Sequence, residues 1–296
     1  MRALSQEAHT GLEALRAATA LLQRVRNTHP TAGLFEAADL QWWWRTPRST
    51  DHLGQLFWVD DMGRPEAAMI ATDWGSRIGL DPVFLPGAEP AWVAHVLAAG
   101  LAHARSAGYD TVETEVNRAD HVLRDELLRR GFTIKGDGVL EAWLAAAARP
   151  PVSPLHDGYE LRSRRDTPER PHHMIGRSGP LVQARLQQTS LYRADLDLCV
   201  VDQHGAPAAY GLFWFDPATA TGLVEPMRTE NDHQQRGLAR HVLTAGVDLL
   251  AAAGAERIKI CFEPENVAAA GLYQSVGFEP SHRTELFVGP TGAPAA

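Results

Sequence analysis

Two polar side chains near the end of the chain stand at a spacing that suits acid–base chemistry. Asn266 and Tyr273 are seven residues apart in an alanine-rich apolar segment, and two helical turns place both on nearly the same face. A phenol, with a pKa of about 10 when unperturbed, can donate a proton to a leaving group. The segment therefore predicts a short helix with two side chains on one face that could take part in acid–base chemistry.

A polar loop that opens an amphipathic helix lies upstream of that segment. The run GLVEPMRTENDHQQRGLARHVLTAGVDLL, starting at Gly222, reads as a strand, a loop and a helix. The first amides of a helix lack intrahelical partners and carry the positive end of its dipole. Gly237 has no Cβ and Ala239 is small, which lets a phosphate approach the backbone. Arg236 and Arg240 would oppose the dipole unless an anion lies there, so the loop predicts an anion site.

Two motifs distinguish this loop from ordinary turn chemistry. QQRGLA at 234–239 fits the pattern R/Q-x-x-G-x-G/A, and residues 266–278 fit N-x-x-A-x-x-L-Y-x-x-x-G-F at a matching separation. In these segments the chain resembles the GCN5-related N-acetyltransferase (GNAT) superfamily. The nucleotide-binding patterns GxGxxG and G-x-x-x-x-G-K-S/T do not occur in the sequence.

The resemblance implies that acetyl-CoA is the acyl donor, and it assigns roles to particular residues. The amides of residues 235–240 are expected to hold the CoA pyrophosphate, and residues 227–229 to offer main-chain groups to the pantetheine arm and the acyl carbonyl. Asn266 is expected to bind the pantetheine, and Tyr273 to lie near the thioester sulfur. The residues expected to bind acetyl-CoA are Met227, Arg228, Thr229, Gln234, Gln235, Arg236, Gly237, Leu238, Ala239, Arg240, Asn266 and Tyr273.

The chemistry of acyl transfer assigns catalytic roles to Tyr273 and Glu225. The reaction needs a base for the ammonium proton, stabilisation of the developing oxyanion and a proton for the leaving thiolate. Tyr273 is expected to supply that proton, and the Met227 amide can stabilise the oxyanion. Glu225 is the candidate base, directly or through water, because alternation along the strand places it on the face of Met227. A purely structural carboxylate and the loop residue His233 are the alternatives.

The chain divides into two similar halves around a proline-rich break at residues 145–158. Shifting the sequence by 146 residues aligns HVLAAG at 95–100 with HVLTAG at 241–246, and Gly131-Phe132 with Gly277-Phe278. Each half alternates strands and helices. We therefore predict an α/β fold of two GNAT-like domains in tandem, each a mostly antiparallel, twisted mixed sheet flanked by helices. The predicted ranges are a degenerate domain at 1–148, a linker at 149–157 and a catalytic domain at 158–296.

The first copy has lost the residues that the second copy is expected to use for chemistry. Asp120 occupies the place of Asn266, and Leu127 that of Tyr273. The loop at 84–91 is about two residues shorter and contains two prolines and an acidic residue, which delete amides and repel a pyrophosphate. We therefore predict a scaffold that borders the substrate cleft. A second acyl-CoA site is the alternative.

Two further clusters draw attention by their composition. Trp42, Trp43 and Trp44 are adjacent, so on a helix they cannot share one buried face. They predict either packing at a domain interface or an aromatic wall for an acceptor. His172 and His173 are adjacent without companions at ligand spacing, so no metal is predicted.

The bulk properties limit the partners. A net charge of −8 over 296 residues argues against a nucleic-acid binder, which needs a basic surface. Cys199 and Cys261 are too few for a disulfide framework. The N-terminus lacks an apolar signal segment, and no run of eighteen apolar residues occurs. We therefore predict no membrane partner, a cytoplasmic location, and a monomer (pseudo-dimer) or homodimer.

These patterns favour an acyl-CoA-dependent N-acyltransferase that acetylates an amine of a small molecule, a metabolite or antibiotic-like compound. The alternatives are acylation of a peptide or protein amine, a non-catalytic CoA-binding regulatory protein, and another acyl-CoA reaction such as decarboxylation. The pair of Asn266 and Tyr273 argues against a pure binder, which needs no proton donor at the sulfur. The two-domain arrangement also resembles the mycothiol synthases, in architecture and CoA motifs only.

Overall fold

The computed structural model describes residues 4–292 and contains twelve strands and eight α-helices in that range. The strands are β1 (Ser5–His9), β2 (Gln55–Val59), β3 (Pro65–Asp73), β4 (Ile78–Phe84), β5 (Thr111–Asn117), β6 (Thr133–Ala145), β7 (Tyr159–Ser163), β8 (Asp197–Asp202), β9 (Pro207–Asp216), β10 (Thr221–Thr229), β11 (Arg257–Phe262) and β12 (Glu279–Pro290). The helices are α1 (Gly11–Thr28), α2 (Ala37–Trp43), α3 (Pro90–Ser106), α4 (His121–Arg129), α5 (Ile175–Ser178), α6 (Val182–Leu186), α7 (Leu238–Ala253) and α8 (Val267–Val276). Among these residues, no helix combines the length and apolarity that a membrane crossing requires.

Contacts divide the chain into two compact units that use non-contiguous segments. Unit 1 comprises the chain up to Leu40, Pro47–Val139 and the residues from His282 onward, and unit 2 comprises Gln41–Thr46 and Leu140–Ser281. These units differ from contiguous ranges because two strands pair away from their own half of the sequence. The end of β6 pairs with β11 in unit 2, and the end of β12 pairs with β5 in unit 1.

Unit 1 is a six-stranded sheet in the order β1-β2-β3-β4-β5-β12. Every neighbouring pair is antiparallel except β4 and β5, which are parallel and meet at Gly79 and Glu113. Helices α3 and α4 bury their apolar stripes on this sheet, where Val96, Leu97 and Leu127 are fully buried. The burial of such stripes drives helix and sheet together.

Unit 2 repeats this plan in the order β6-β11-β10-β9-β8-β7, with β10 and β11 as its parallel pair. One apolar cluster joins α7, α8 and the sheet, and it includes Leu238, Val242 and Tyr273. The predicted fold class is confirmed, because both units are mostly antiparallel mixed sheets that carry helices.

Each copy has a glycine where a helix crosses close to the sheet. A Cβ at Gly100 in α3 would lie 2.3 Å from Cγ of Met69, and a Cβ at Gly246 in α7 would lie 2.1 Å from Cζ of Phe213. Met69 lies on β3 and Phe213 on the corresponding strand β9. The glycines that align in the two halves of the sequence therefore serve the same helix–sheet contact.

Candidate active site

The loop before α7 presents a row of backbone amides without acceptors. Within residues 4–292, the N–H groups of residues 235–240 donate to no carbonyl or side chain, and the helical ladder starts with His241 N to Gly237 O at 3.0 Å. Gln235 and Gly237 have φ values of +62° and +74°, a backbone form that gathers successive amides around a concavity. A Cβ at Gly237 would meet nothing within 4 Å, so the space there is open. This amide row, residues 235–240, fits an anion.

The two arginines of the loop are positioned by neighbouring residues. Arg236 donates to the Tyr159 hydroxyl and, at 3.1 Å, to the carbonyl of Asp232. Arg240 donates to Oγ of Ser275 at 2.5 Å and to its carbonyl at 3.2 Å. Arg240 therefore ties the start of α7 to the end of α8, and both arginines add positive charge beside the amide row.

His233, the alternative base, is hydrogen-bonded rather than solvated alone. Its Nδ1 lies 2.9 Å from the Tyr159 hydroxyl, and the two rings meet edge to face at 5.7 Å. Gln234 is exposed and reaches Oδ1 of Asn231 at 3.4 Å. Tyr159 was not among the site residues predicted from the sequence, where its only signal is its position at the start of a strand-like run at Tyr159–Arg164.

β10 changes its pairing where the predicted acyl-binding stretch begins. Up to Val224 it pairs with both β9 and β11, whereas residues 227–229 pair, in the described part of the chain, with β9 alone. A bulge separates the two stretches, with Glu225 and Pro226 opposite Leu212. The main-chain groups of residues 227–229 that point away from β9 are therefore available to a ligand.

The bulge corrects one expectation about Glu225. Simple alternation would place Glu225 and Met227 on one face, and this is wrong because the extra residue inverts the alternation. Met227 instead packs against the same core cluster as Val224. The carbonyl of Glu225 accepts a hydrogen bond of 2.8 Å from Nε1 of the buried Trp214, which anchors the backbone of the candidate base.

Tyr273 lies in the apolar cluster that α7 and α8 share. Its side chain is buried, with the ring centroid 5.2 Å from that of Phe262 and 6.3 Å from that of Phe278. Burial raises the pKa of Tyr273 to about 12. Its hydroxyl makes no hydrogen bond to any group of residues 4–292. The phenol is therefore protonated at neutral pH and has its donor free for a ligand.

Asn266 caps the helix that carries Tyr273. Its Oδ1 accepts from Ala269 N at 3.1 Å, with φ −80° and ψ 76°. Asp120 caps α4 in the same way, accepting from Leu123 N at 3.0 Å with φ −82° and ψ 77°. The two positions are equivalent in backbone geometry. The cap engages the oxygen of the Asn266 amide, which leaves its NH2 group for a ligand.

The equivalent helix start in unit 1 offers fewer amides to an anion. Helix α3 begins with Pro90, which has no amide, and the carbonyl of Glu89 accepts from Trp92 N at 2.9 Å and Val93 N at 3.0 Å. Leu127 fills the place of Tyr273 and is fully buried. Unit 1 therefore lacks both the amide row and the phenol.

A buried cluster around Asp197 was not visible from spacing along the chain. Nε2 of His172 lies 3.0 Å from Oδ2 of Asp197 and Nε2 of His173 lies 3.1 Å from Oδ1, a set that could hold a metal ion by distance. Met174 N, however, donates to Nδ1 of His172 at 3.1 Å, so the neutral ring carries its proton on Nε2 and donates it to the carboxylate. His172 is thus a hydrogen-bond donor here rather than a ligand. Burial opposes ionisation of Asp197, but the two histidines outweigh it and hold its pKa well below the usual value.

The tryptophan run is separated as helix geometry requires. Trp42 is buried, whereas Trp43 and Trp44 are partly exposed, so the prediction that they share no buried face is confirmed. The guanidinium of Arg45 lies 3.6 Å from the ring centroid of Trp42, and that of Arg185 lies 3.7 Å from that of Trp44. Cation–π contacts within unit 2 therefore order this segment.

Residues 156–278, which contain the amide row and Tyr273, match the model of the acetyltransferase (GNAT) family. The mycothiol acetyltransferase of Beutenbergia cavernae is 28% identical over 166 residues, covering 52% of this chain and 54% of that protein. The match thus spans about half the length of this relative.

Two solved structures resemble the whole chain. A GCN5-related N-acetyltransferase from Sphaerobacter thermophilus has a TM-score of 0.63 and 15% identity, covering 99% of this chain and 97% of that one. A tandem GNAT protein from the clavulanic acid biosynthesis pathway has a TM-score of 0.72 and 15% identity, covering 99% and 100%. At this identity the likeness establishes the fold alone, including its two-unit plan.

Proposed function

We propose that the chain transfers an acetyl group from acetyl-CoA to an amine of a small molecule, because residues 156–278 match the model of the acetyltransferase (GNAT) family. In this reaction a carbon–nitrogen bond forms and the thioester carbon–sulfur bond breaks, while the amine loses a proton and the departing thiolate gains one. The acceptor is proposed to be a metabolite or an antibiotic-like compound.

The observation that carries this proposal is the amide row of residues 235–240. Six consecutive N–H groups without acceptors within residues 4–292 are costly in a folded protein unless solvent or a ligand satisfies them. The diphosphate of CoA offers several acceptor oxygens and negative charge, which suit both the amides and the helix dipole. Arg236 and Arg240 add positive charge, which is opposite in sign to the charge of the diphosphate.

The chemistry is proposed to take place at the bulge end of β10 and on α8. The Met227 amide would stabilise the acyl oxygen as it gains charge, and Asn266 would hold the chain between diphosphate and thioester. Glu225 would accept the amine proton, directly or through water, and Tyr273 would give a proton to the departing sulfur. Met227, Leu238 and Tyr273 all contact one core cluster, which supports their action at a single site.

The acceptor is proposed to be small because the family relative is named for a small molecule. That relative is a mycothiol acetyltransferase, and we propose for this chain only the coarser class, an amine of low molecular weight. The net charge of −8 suits the approach of a cationic amine.

Thiol release from acetyl-CoA, measured across a panel of small amines and peptides with free amino groups, tests this proposal. We expect turnover with at least one small amine. Turnover confined to the peptides would favour a peptide acetyltransferase, and CoA binding without thiol release across the panel would favour a regulatory binder. Either result would overturn the proposed function.

A negative charge placed at the amide row tests its role, and the same change at the start of α3 is the matched control. Ala239→Glu introduces a carboxylate in the first turn of α7, which favours the helix but opposes the diphosphate. We expect CoA affinity in calorimetry to fall at least about tenfold, because charge-assisted hydrogen bonds are lost. Ala91→Glu makes the same change at the second residue of α3 and should leave CoA affinity unchanged. Equal losses in both variants would contradict the assignment of the amide row.

A further inference from the structure

Unit 1 contains a cavity of about 480 Å³ that the acetyltransferase chemistry of unit 2 does not use. It is lined by the ends of β4 and β5, the start of α4 and the segment after α1. Apolar side chains such as Val83, Phe84 and Leu123 form much of its wall. A cavity of this size and character is typical of a small-molecule site.

Within unit 1, the cavity occupies the position that corresponds to the proposed acetyl-CoA site of unit 2. In unit 1 the parallel strands β4 and β5 pair, in the described register, only at Gly79 and Glu113. Beyond this pair, the later residues of both strands line the cavity. The corresponding pair in unit 2 joins Leu223 to Lys259. This correspondence places Asp81-Pro82 of β4 at the position of Glu225-Pro226 of β10.

The cavity no longer suits CoA. Pro90 and the carbonyl of Glu89 close the helix start that would hold a diphosphate, and β4 pairs with β3 without the bulge seen in β10. Leu127 replaces the phenol of Tyr273. The space has been kept while the groups for an anionic cofactor have been lost.

The charges around the cavity are negative. Glu115 and Asp120 line it, and in the described residues no lysine or arginine does so. Oε1 of Glu115 accepts from Val139 N at 2.9 Å and from the Thr284 hydroxyl, whereas Oε2 has no hydrogen-bond partner within residues 4–292. Beside it, burial and then the charge of Glu115 raise the pKa of Asp81 to about 8. This part of unit 1 therefore disfavours further negative charge.

We propose that the unit 1 cavity is a binding site for an organic ammonium ion with an apolar body, held by the Glu115 carboxylate. The apolar walls remove the body of the ligand from water, and the free oxygen of Glu115 accepts from the ammonium group. The site binds a ligand of the same chemical class as the proposed acceptor, but without the groups for acyl transfer. Its binding does not depend on the proposed function of unit 2.

Calorimetry of the full chain with three eight-carbon probes tests this inference. Octylamine, octanol and octanoate share an apolar body and differ in charge, so they separate the contribution of Glu115 from that of the walls. We expect octylamine to bind at least about tenfold more tightly than octanoate, since the carboxylate of Glu115 pairs with one and repels the other. Octanoate binding as tightly as octylamine would overturn the proposal.

Substitutions at the cavity test whether the probes bind there. Glu115→Gln should weaken octylamine about tenfold and leave octanol unchanged, whereas Glu113→Gln, on the same face of β5 but paired with Arg77 at 2.9 Å, should change neither. Ala88→Trp at the cavity wall should weaken all three probes and leave CoA binding intact. Octylamine affinity that survives both Glu115→Gln and Ala88→Trp would place the amine elsewhere and refute the site. Loss of CoA binding in Ala88→Trp would assign the cavity to the cofactor and refute it equally. Neither readout depends on acetyl transfer, so failure of the proposed function would leave these results interpretable.

Discussion

At the scale of single residues, the environment of Tyr273 decides what its hydroxyl can do. A phenol at a protein surface loses its proton near pH 10, whereas burial raises the pKa of Tyr273 to about 12. The hydroxyl therefore remains a proton donor over the whole range in which amines lose their own protons. Its ring is held by Phe262 and Phe278, so loss of the hydroxyl should change chemistry without changing packing.

We expect Tyr273→Phe to lower kcat by roughly a hundredfold or more, the usual contribution of a general acid. CoA affinity should remain within about twofold, because the amide row is untouched. Steady-state kinetics together with calorimetry check both quantities. A variant with unchanged kcat would remove Tyr273 from the mechanism.

Glu225 is expected to matter most where the acceptor is protonated. Glu225→Gln removes the proposed base, so turnover must rely on amine that has already lost its proton in solution. The fraction of such amine falls as the pH falls, and the activity of the variant should therefore decline most steeply at low pH. The pH–rate profiles of the two proteins give the comparison. Superimposable profiles would exclude Glu225 as the base.

Asp81 gives unit 1 a pH-dependent stability. Its folded pKa of about 8 exceeds the value of about 4 in an unfolded chain, so the folded state binds the proton more tightly. Stability should therefore fall as pH rises from about 4 to about 8, by an amount on the order of a few kcal/mol. Asp81→Asn removes this loss, so it should melt above the parent protein at pH 8 and together with it near pH 4. A melting difference that does not vary with pH would contradict the account.

At the scale of elements, the two copies show how the start of one helix differs between two similar helix–sheet units. The amide row before α7 depends on two left-handed residues, Gln235 and Gly237, and on the absence of a capping side chain. In α3 a proline stands at the first position and no such row exists. The helices pack on their sheets alike, so the proposed difference in binding depends on a few residues at the helix start.

The close helix–sheet contact at Gly246 can be tested by adding one methyl group. Gly246→Ala would place a Cβ 2.1 Å from Phe213, and we expect a loss of about 1–3 kcal/mol in the free energy of unfolding from overpacking. Gly271→Ala in α8 is the matched control, since a Cβ there meets nothing within 4 Å. That variant should gain about 0.5–1 kcal/mol from helix propensity. Denaturant unfolding measures both, and equal effects would refute the packing argument.

At the scale of the whole molecule, the chain contains two units of the same plan with different residues at corresponding positions. The amide row and the phenol occur in unit 2, and unit 1 keeps a cavity with negative charges in the corresponding place. The pairing of β12 with β5 and of β6 with β11 means that neither unit is formed by a contiguous piece of sequence. Experiments on either copy should therefore use the full chain.

Equilibrium titration of the full chain with CoA should give one bound molecule per chain. At the start of α3, Pro90 has no amide and the amides of Trp92 and Val93 already donate to the carbonyl of Glu89, so a diphosphate has no equivalent row of amides there. Calorimetric stoichiometry is the measurement. A clear value of two would show that both copies bind the cofactor and would also remove the basis of the amine site.

Local features of this protein follow from the sequence because they depend on neighbouring residues. The apolar periodicity of the sequence predicts a helix at Leu238–Ala253 and a strand at Arg257–Phe262, and α7 and β11 have these bounds, because such periodicity depends on nearby residues only. The glycine before α7 is also a local feature, because it depends on the backbone at that position. The equivalence of Asp120 and Asn266 is local too, because a capping residue contacts its own helix.

The pairing of strands and the breaks in their alternation depend on contacts between distant segments. β6 and β12 were not predicted, and their partners β11 and β5 are more than one hundred residues away, so no local period specifies them. The bulge at Glu225 and the contact of Asp197 with His172 arise in the same way. Register and burial are properties of two distant segments at once, and hydrogen bonds between such segments leave no spacing signal along a single chain.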